Sequence, residues 1–197
     1  MGRQRKTTPR HIEAVALDLF SRQGFVATTV EQVATGAGIS TRSFFRYFRS
    51  KDEVVLGSEA VDRELLLEAV RVAPPASVSV AGLVPALVAF TSRLEEDRER
   101  VLLRAAVVDG NPALRPQLLA VYRAWEESLA GALGAGAGDT AGFAAGAASF
   151  EAKVAAAGAL ALLSVSVREW CESRGEGSLA DTVIRAADAL LGPGPAG

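Results

Sequence analysis

The sequence predicts an all-α protein of about nine helices. Three observations carry that expectation: the chain is rich in Ala and Leu at helical spacing, no alternating strand pattern bounded by hairpin signals occurs, and Ser or Thr stands in capping positions ahead of several apolar runs.

The elements follow in order. Thr8 and Pro9 read as an N-cap followed by proline in the first helical position, and Ile12, Val15, Ala16, Leu19 and Phe20 then repeat at helical spacing until Gly24. Thr29 and Gln32 form a capping box for a short second helix in "TVEQVATGAG", with Val30, Val33 and Ala34 facing inward and Gly36 and Gly38 making the turn. Ser40 caps a third helix. Ser50 with Glu53 is a second capping box, opening a fourth helix through Val54, Ala60, Val61, Leu65 and Val70 that "APPAS" ends. Helices are then expected over residues 82–94 and 98–108, and "DGNP" breaks the chain before a long helix through Trp125 to Leu133. Pro85 and Pro116 are expected in first turns or, alternatively, to kink a helix. The glycine-rich "GALGAGAGDTAGFAAGAAS" is read as a loop to about Asp139 and then helix, with final helices over 144–173 and 179–191 and a frayed "GPGPAG" tail.

With 197 residues, 49% of them hydrophobic, the chain is long enough to bury a full core. The opening residues carry no secretory apolar run, and the stretch "VAAAGALALLSVSV" is shorter than a membrane span and bracketed by Lys153 and Arg168. A cytoplasmic protein with no membrane partner is expected. The single cysteine, Cys171, allows no intrachain disulfide and no cysteine metal cluster.

The net charge of −2 conceals an asymmetry. Residues 1–51 carry nine Lys or Arg against three acids, a net +6, and the remainder carries −8. A basic head on an acidic body is the distribution expected when one end of a protein meets a polyanion. On a helical wheel of residues 40–49, Phe44, Tyr47 and Phe48 lie near one side, and Thr41, Phe45, Arg49, Arg42 and Arg46 span an opposing arc of about 140°. The first side closes a core. The second is basic and exposed, and three arginines and a lysine within ten residues suit phosphate neutralisation, where an ordinary surface would intersperse acids.

Helix 2, the glycine turn and helix 3 match a helix-turn-helix. The stretch "LDLFSRQGFVATTVEQVATGAGISTRSFFRYFRSKDEVV" resembles the DNA-binding head of the TetR family of bacterial transcriptional regulators, over about the first quarter of the chain. The resemblance implies a three-helix head over 1–51, a helical regulatory and dimerisation domain over 52–197, and a homodimer on palindromic double-stranded operator DNA. By the same resemblance Thr29 and Lys51 would contact phosphates, and Ser40, Thr41, Arg42 and Ser43 would form the first turn of the recognition helix. Arg42 is the candidate for guanine readout, and Tyr47 would give its hydroxyl to a phosphate. Phe45 departs from the pattern, since many members carry tyrosine there; an apolar contact with a thymine methyl or a sugar is the substitute expected. Arg46 and Arg49 reach phosphate or stay solvated, and the arm "GRQRKTTPR" tracks a groove or is a basic tail.

For the body, the resemblance implies a dimer interface on the last two helices, at Ala155, Gly158, Leu162 and Trp170; the alternative is packing of that face within one chain. It also implies an effector cavity, for which Phe90, Leu94, Leu102, Val107, Leu118, Tyr122 and Trp125 are the candidates, although each taken alone reads first as plain core. No basic cluster in the body suits a phosphate-bearing ligand, so a small, largely apolar effector is expected, acting as a release signal for a repressor. No cofactor or metal is expected. His11 is the only histidine and Cys171 lies far from it in sequence, so no nucleophile and base can be paired, and enzyme activity is not expected. The contrasting reading is a ligand-independent or protein-interaction adaptor that retains the helix-turn-helix fold.

Overall fold

Capping residues divide the chain into its helices. The computed structural model describes residues 8–56, 59–134 and 148–192. In order they form α1 (Pro9–Gln23), α2 (Val30–Gly36), α3 (Thr41–Tyr47), α4 (Lys51–Leu56), α5 (Glu59–Val72), α6 (Val80–Glu95), α7 (Arg98–Asp109), α8 (Arg115–Gly134), α9 (Phe150–Glu172) and α10 (Leu179–Leu191), with a 3-10 turn over Pro112–Leu114. The architecture is all-α, as the sequence predicts. The single helix expected after Ser50 is described as α4 and α5 on either side of residues 57–58. Most of the basic arm, the glycine-rich stretch 135–147 and the tail 193–197 lie outside the described residues.

Ser or Thr side chains at Thr8, Thr29, Ser40, Ser79, Ser149 and Ser178 each accept a backbone N–H at the start of their helix. Such caps are worth about 1 kcal/mol each. Two of them move expected boundaries. Ser79 starts α6 two residues early, so Pro85 sits in the second turn instead of the first, where it leaves the Ala81 carbonyl without its intrahelical donor. Ser149 starts α9 at Phe150, and the expected residues 144–147 lie outside the described part. Pro116 does lie in the first turn of α8.

The described chain divides into two compact units. One unit gathers the described residues up to Ala60 with Glu99–Leu118; the other gathers Val61–Arg98 with the described residues from Leu119 onward. In the first, Ile12, Leu17, Val33, Phe44 and Val54 have no exposed surface. Each such side chain contributes about 1.5–3 kcal/mol by leaving water. On α7, Arg100 lies 3.6 Å from the Glu13 carboxylate of α1, and both side chains are largely buried.

In the second unit α6, α9 and α10 pack on one another. Gly158 sets the approach of α9 to α6, since a Cβ there would stand 2.5 Å from Val80 Cγ2. The α9 C-terminus closes with Gly175 N–H donating to the Trp170 carbonyl and Arg174 N–H to that of Cys171, with Arg174 at φ 56°. Glu95, at the end of α6, then caps α10 by accepting from the backbone N–H groups of Leu179 and Ala180. On α5 the apolar pattern is offset from expectation: Leu66 and Leu67 are buried, and Val61 and Leu65 are exposed. By length and composition α9, at 23 residues, could cross a membrane, so the shorter stretch read from sequence does not by itself exclude it. Its inner face is instead buried against α6 and α10, as in a core helix.

Candidate nucleic-acid interface

The turn between α2 and α3 is built from backbone requirements. Gly38, at φ 69°, ends α2 in a Schellman arrangement, with Gly38 N–H donating to the Thr35 carbonyl (3.0 Å) and Ile39 N–H to that of Ala34 (2.9 Å). Gly36 has a different role. A Cβ there would lie 2.8 Å from Val15 Cγ1, so its absence lets α2 close on α1. Ser40 follows at once and caps α3 by accepting from Ser43 N–H at 3.1 Å, and its own hydroxyl donates to Ser43 Oγ at 3.1 Å. Both serines are therefore engaged locally.

Phe44 and Phe48 are buried and pack 5.8 Å apart, fixing one side of α3 to the head. Arg42, Phe45, Arg46 and Arg49 are exposed on the other side, with Thr41 and Ser43 half-buried at its start. Tyr47 is half-buried, and its hydroxyl accepts from Arg46 Nη2 at 3.1 Å while the guanidinium carbon lies 4.9 Å from its ring centroid. The wheel thus places the side chains correctly, save that Tyr47 sits at the edge of the core. This Arg46–Tyr47 contact is not legible from spacing, because neighbours in sequence do not normally face each other on a helix.

Lys51 is engaged within the head. Its ammonium donates to the carbonyls of Phe25 (2.6 Å), Val26 (3.2 Å) and Thr28 (3.1 Å) and stands 4.5 Å from the Phe25 ring centroid. An ammonium has three donors, and here three carbonyls take them. Lys51 is a tie between the start of α4 and the loop before α2, where the resemblance implies a phosphate contact. Thr29 caps α2 reciprocally with Gln32, and an acid beside it, missed by the sequence reading, changes its surroundings. The Glu31 carboxyl is held below its usual range by its own backbone N–H and then by the Thr29 hydroxyl. In the second capping box, Ser50 accepts from Glu53 N–H, but the Glu53 carboxylate reaches back to Arg49 N–H.

Residues 12–57 match the family model described as bacterial regulatory proteins, tetR family, and residues 78–194, more than half of the chain, match the MftR C-terminal domain. The chain belongs to the TetR family. It is 32% identical over 130 residues to a Mycobacterium tuberculosis protein named as a mycofactocin biosynthesis transcriptional regulator, MftR, covering 66% of each chain. It is 35% identical over 96 residues to the HTH-type transcriptional regulator TcmR of Streptomyces glaucescens, covering 48% of this chain and 42% of TcmR. The match therefore spans about two thirds of one curated relative and less than half of the other. Among solved structures, Thermus thermophilus FadR in complex with lauroyl-CoA has a TM-score of 0.56 at 19% identity, covering 96% of this chain and 99% of that one. FadR from Bacillus halodurans has a TM-score of 0.62 at 17% identity, covering 96% and 97%. At these identities the two structures share the fold.

The body candidates of this TetR-family regulator fall into two sets. Phe90 and Trp125 are buried with rings 6.0 Å apart, Tyr122 lies 6.4 Å from Trp125 and is half-buried, and Leu94 is buried; all four belong to the second unit. Leu102, Val107 and Leu118 belong to the first unit, Val107 buried and the other two half-buried. The dimer candidates face inward. Ala155, Leu162 and Trp170 are buried within their own chain, Trp170 donates its indole N–H to the Gly177 carbonyl at 3.1 Å, and Gly158 lies against Val80. On the same helix Phe150, Val154 and Val165 are exposed. At 100° per residue these three and Ala161 fall within about 60° of arc, opposite the buried residues. For these four residues the structure has the alternative the sequence left open, packing of that side within one chain.

Proposed function

We propose that this TetR-family transcriptional regulator is a cytoplasmic repressor that binds a palindromic operator as a homodimer and is released by a small, largely apolar effector. The observation that carries the proposal is the outward face of α3, where Arg42, Phe45, Arg46 and Arg49 are exposed on a helix whose opposite side is anchored by Phe44 and Phe48. A helix so held can enter a major groove as a rigid reader. Arg42 offers a fork to a guanine, Thr41 and Ser43 flank it, and Tyr47 with Arg46 presents a polar edge to a phosphate. Thr29 and the Ser40 cap stand at helix N-termini, where phosphate is favoured.

Dimerisation is supported by the exposed stripe on α9, with Ile184, Leu190 and Leu191 exposed on α10. Large apolar side chains left exposed along one side of a helix suit an interface between copies. The apolar effector is supported by the Phe90, Tyr122 and Trp125 rings, and of the lauroyl-CoA bound by the like-folded T. thermophilus FadR only the acyl chain suits such a site, since the body offers no basic cluster for the phosphates. Such an effector would act by favouring a dimer whose heads no longer match successive major grooves, about 34–36 Å apart.

A gel-shift titration and footprint on DNA flanking the gene for this chain tests the proposal. A protected two-fold site competed away by an acyl-chain ligand is expected. No sequence-selective complex at any low salt concentration would overturn it.

A further inference from the structure

Among the described residues up to Leu56, Val26 and Phe45 are the large apolar side chains left exposed. Phe45 is 54% exposed, on the same arc of α3 as Arg42, Arg46 and Arg49. Its ring stands edge-on to the Phe44 ring, with centroids 5.5 Å apart and planes at 90°. Phe44 is fully buried. One side of the Phe45 ring is therefore braced by a fully buried side chain, and the rest faces water between cations.

We infer that Phe45 is a specificity-determining residue that reads the C5-methyl group of a thymine in the operator. The inference rests on the head being a major-groove reader, as proposed above. A phenyl ring has no hydrogen-bonding group, so neither phosphate nor the polar edges of bases reward it. On the groove floor, the apolar group that B-DNA presents to such a ring is the thymine methyl. Sugar and phosphate line the groove walls, and the flanking arginines are better suited to them. The brace against Phe44 means that little side-chain entropy is lost on contact. Arg42 and Phe45 are three residues apart, about 4.5 Å along the axis, against 3.4 Å per base pair. The thymine should thus lie within about two base pairs of the guanine that Arg42 reads.

The test replaces each thymine of the footprinted operator in turn with deoxyuridine, which keeps every hydrogen-bonding group and removes the methyl alone. One symmetry-related pair of positions should show a loss of about fourfold per methyl, roughly fifteenfold when both half-sites are changed. Phe45→Ala, whose fold is checked by circular dichroism, should bind thymine and deoxyuridine operators equally. Selective binding by the native protein with no methyl-sensitive position overturns the inference and leaves the proposed function standing. A methyl effect that persists in Phe45→Ala also overturns it. Absence of any selective complex overturns both. Should Phe45→Ala fail to fold, Phe45→Gln takes its place in the same comparison, and a native scan without a methyl-sensitive position overturns the inference with no variant needed.

Discussion

The Lys51 ammonium donates to the carbonyl of Phe25 at 2.6 Å and tethers the first turn of α4 to the loop that leads into α2. Hydrogen bonds from a charged donor contribute about 1.5–3 kcal/mol. Lys51→Ala should therefore lower the stability of the head by about 2–3 kcal/mol, read as a fall in its thermal midpoint. The salt slope of DNA binding should stay unchanged. An unaltered midpoint with a slope reduced by about one per head, roughly two for the dimer, would restore the phosphate role.

Glu31 places a negative charge at the start of α2, beside Thr29. Glu31→Gln should raise operator affinity about twofold per head at low salt, roughly fourfold for the dimer, each head losing one charge interaction at roughly 10 Å in water. Because the native pKa is lowered, the carboxylate stabilises α2 fully above the ordinary carboxylate range, and that contribution is lost as pH falls through the lowered value. The gain should appear in a filter-binding titration near neutral pH and disappear in high salt.

Arg42→Ala should cost about 1–3 kcal/mol, concentrated at one base pair in each half-site. Binding to a panel of single-base operator variants measures it. A uniform loss across the panel would reassign Arg42 to the backbone.

The two sides of α9 should respond differently. Val165→Glu puts a charge on the exposed stripe and should convert dimer to monomer in sedimentation. Trp170→Ala removes a buried ring and its bond to Gly177 and should cost about 3–5 kcal/mol in denaturant unfolding. Val165→Glu protein that sediments as a dimer would remove this face from the interface.

Gly158→Ala should destabilise the body by about 1–3 kcal/mol, since the added methyl meets Val80, whose branched side chain has little freedom to turn away. Val80→Ala in the same chain should restore part of the loss, a coupling that a double-mutant cycle measures.

Local chemistry explains what the sequence made legible. Capping at Thr8, Thr29 and Ser40 is decided within three residues, so the starts of α1, α2 and α3 follow from it. The faces of α3 were readable for the same reason, because three aromatic residues and three arginines on opposite arcs leave one arrangement that buries rings and solvates charge. Distant partners were not readable. Lys51 finds its acceptors 23 to 26 residues away, and Arg100 reaches across to Glu13. Nothing in the spacing of α9 says which side its own chain covers, and small residues suit either answer. The offset on α5 has the same origin, since runs such as Leu65-Leu66-Leu67 present apolar groups to every direction.

The brevity of α3 limits what one head can know. Seven residues rise about 10 Å, the length of about three base pairs. Three positions distinguish on the order of sixty sequences, and two such helices together a few thousand, against about a million or more competing sites in a genome. A reader this short gathers too little information to find a unique address from these contacts alone. The remainder has to come from the fixed interval between two heads and from the deformability of the DNA separating them.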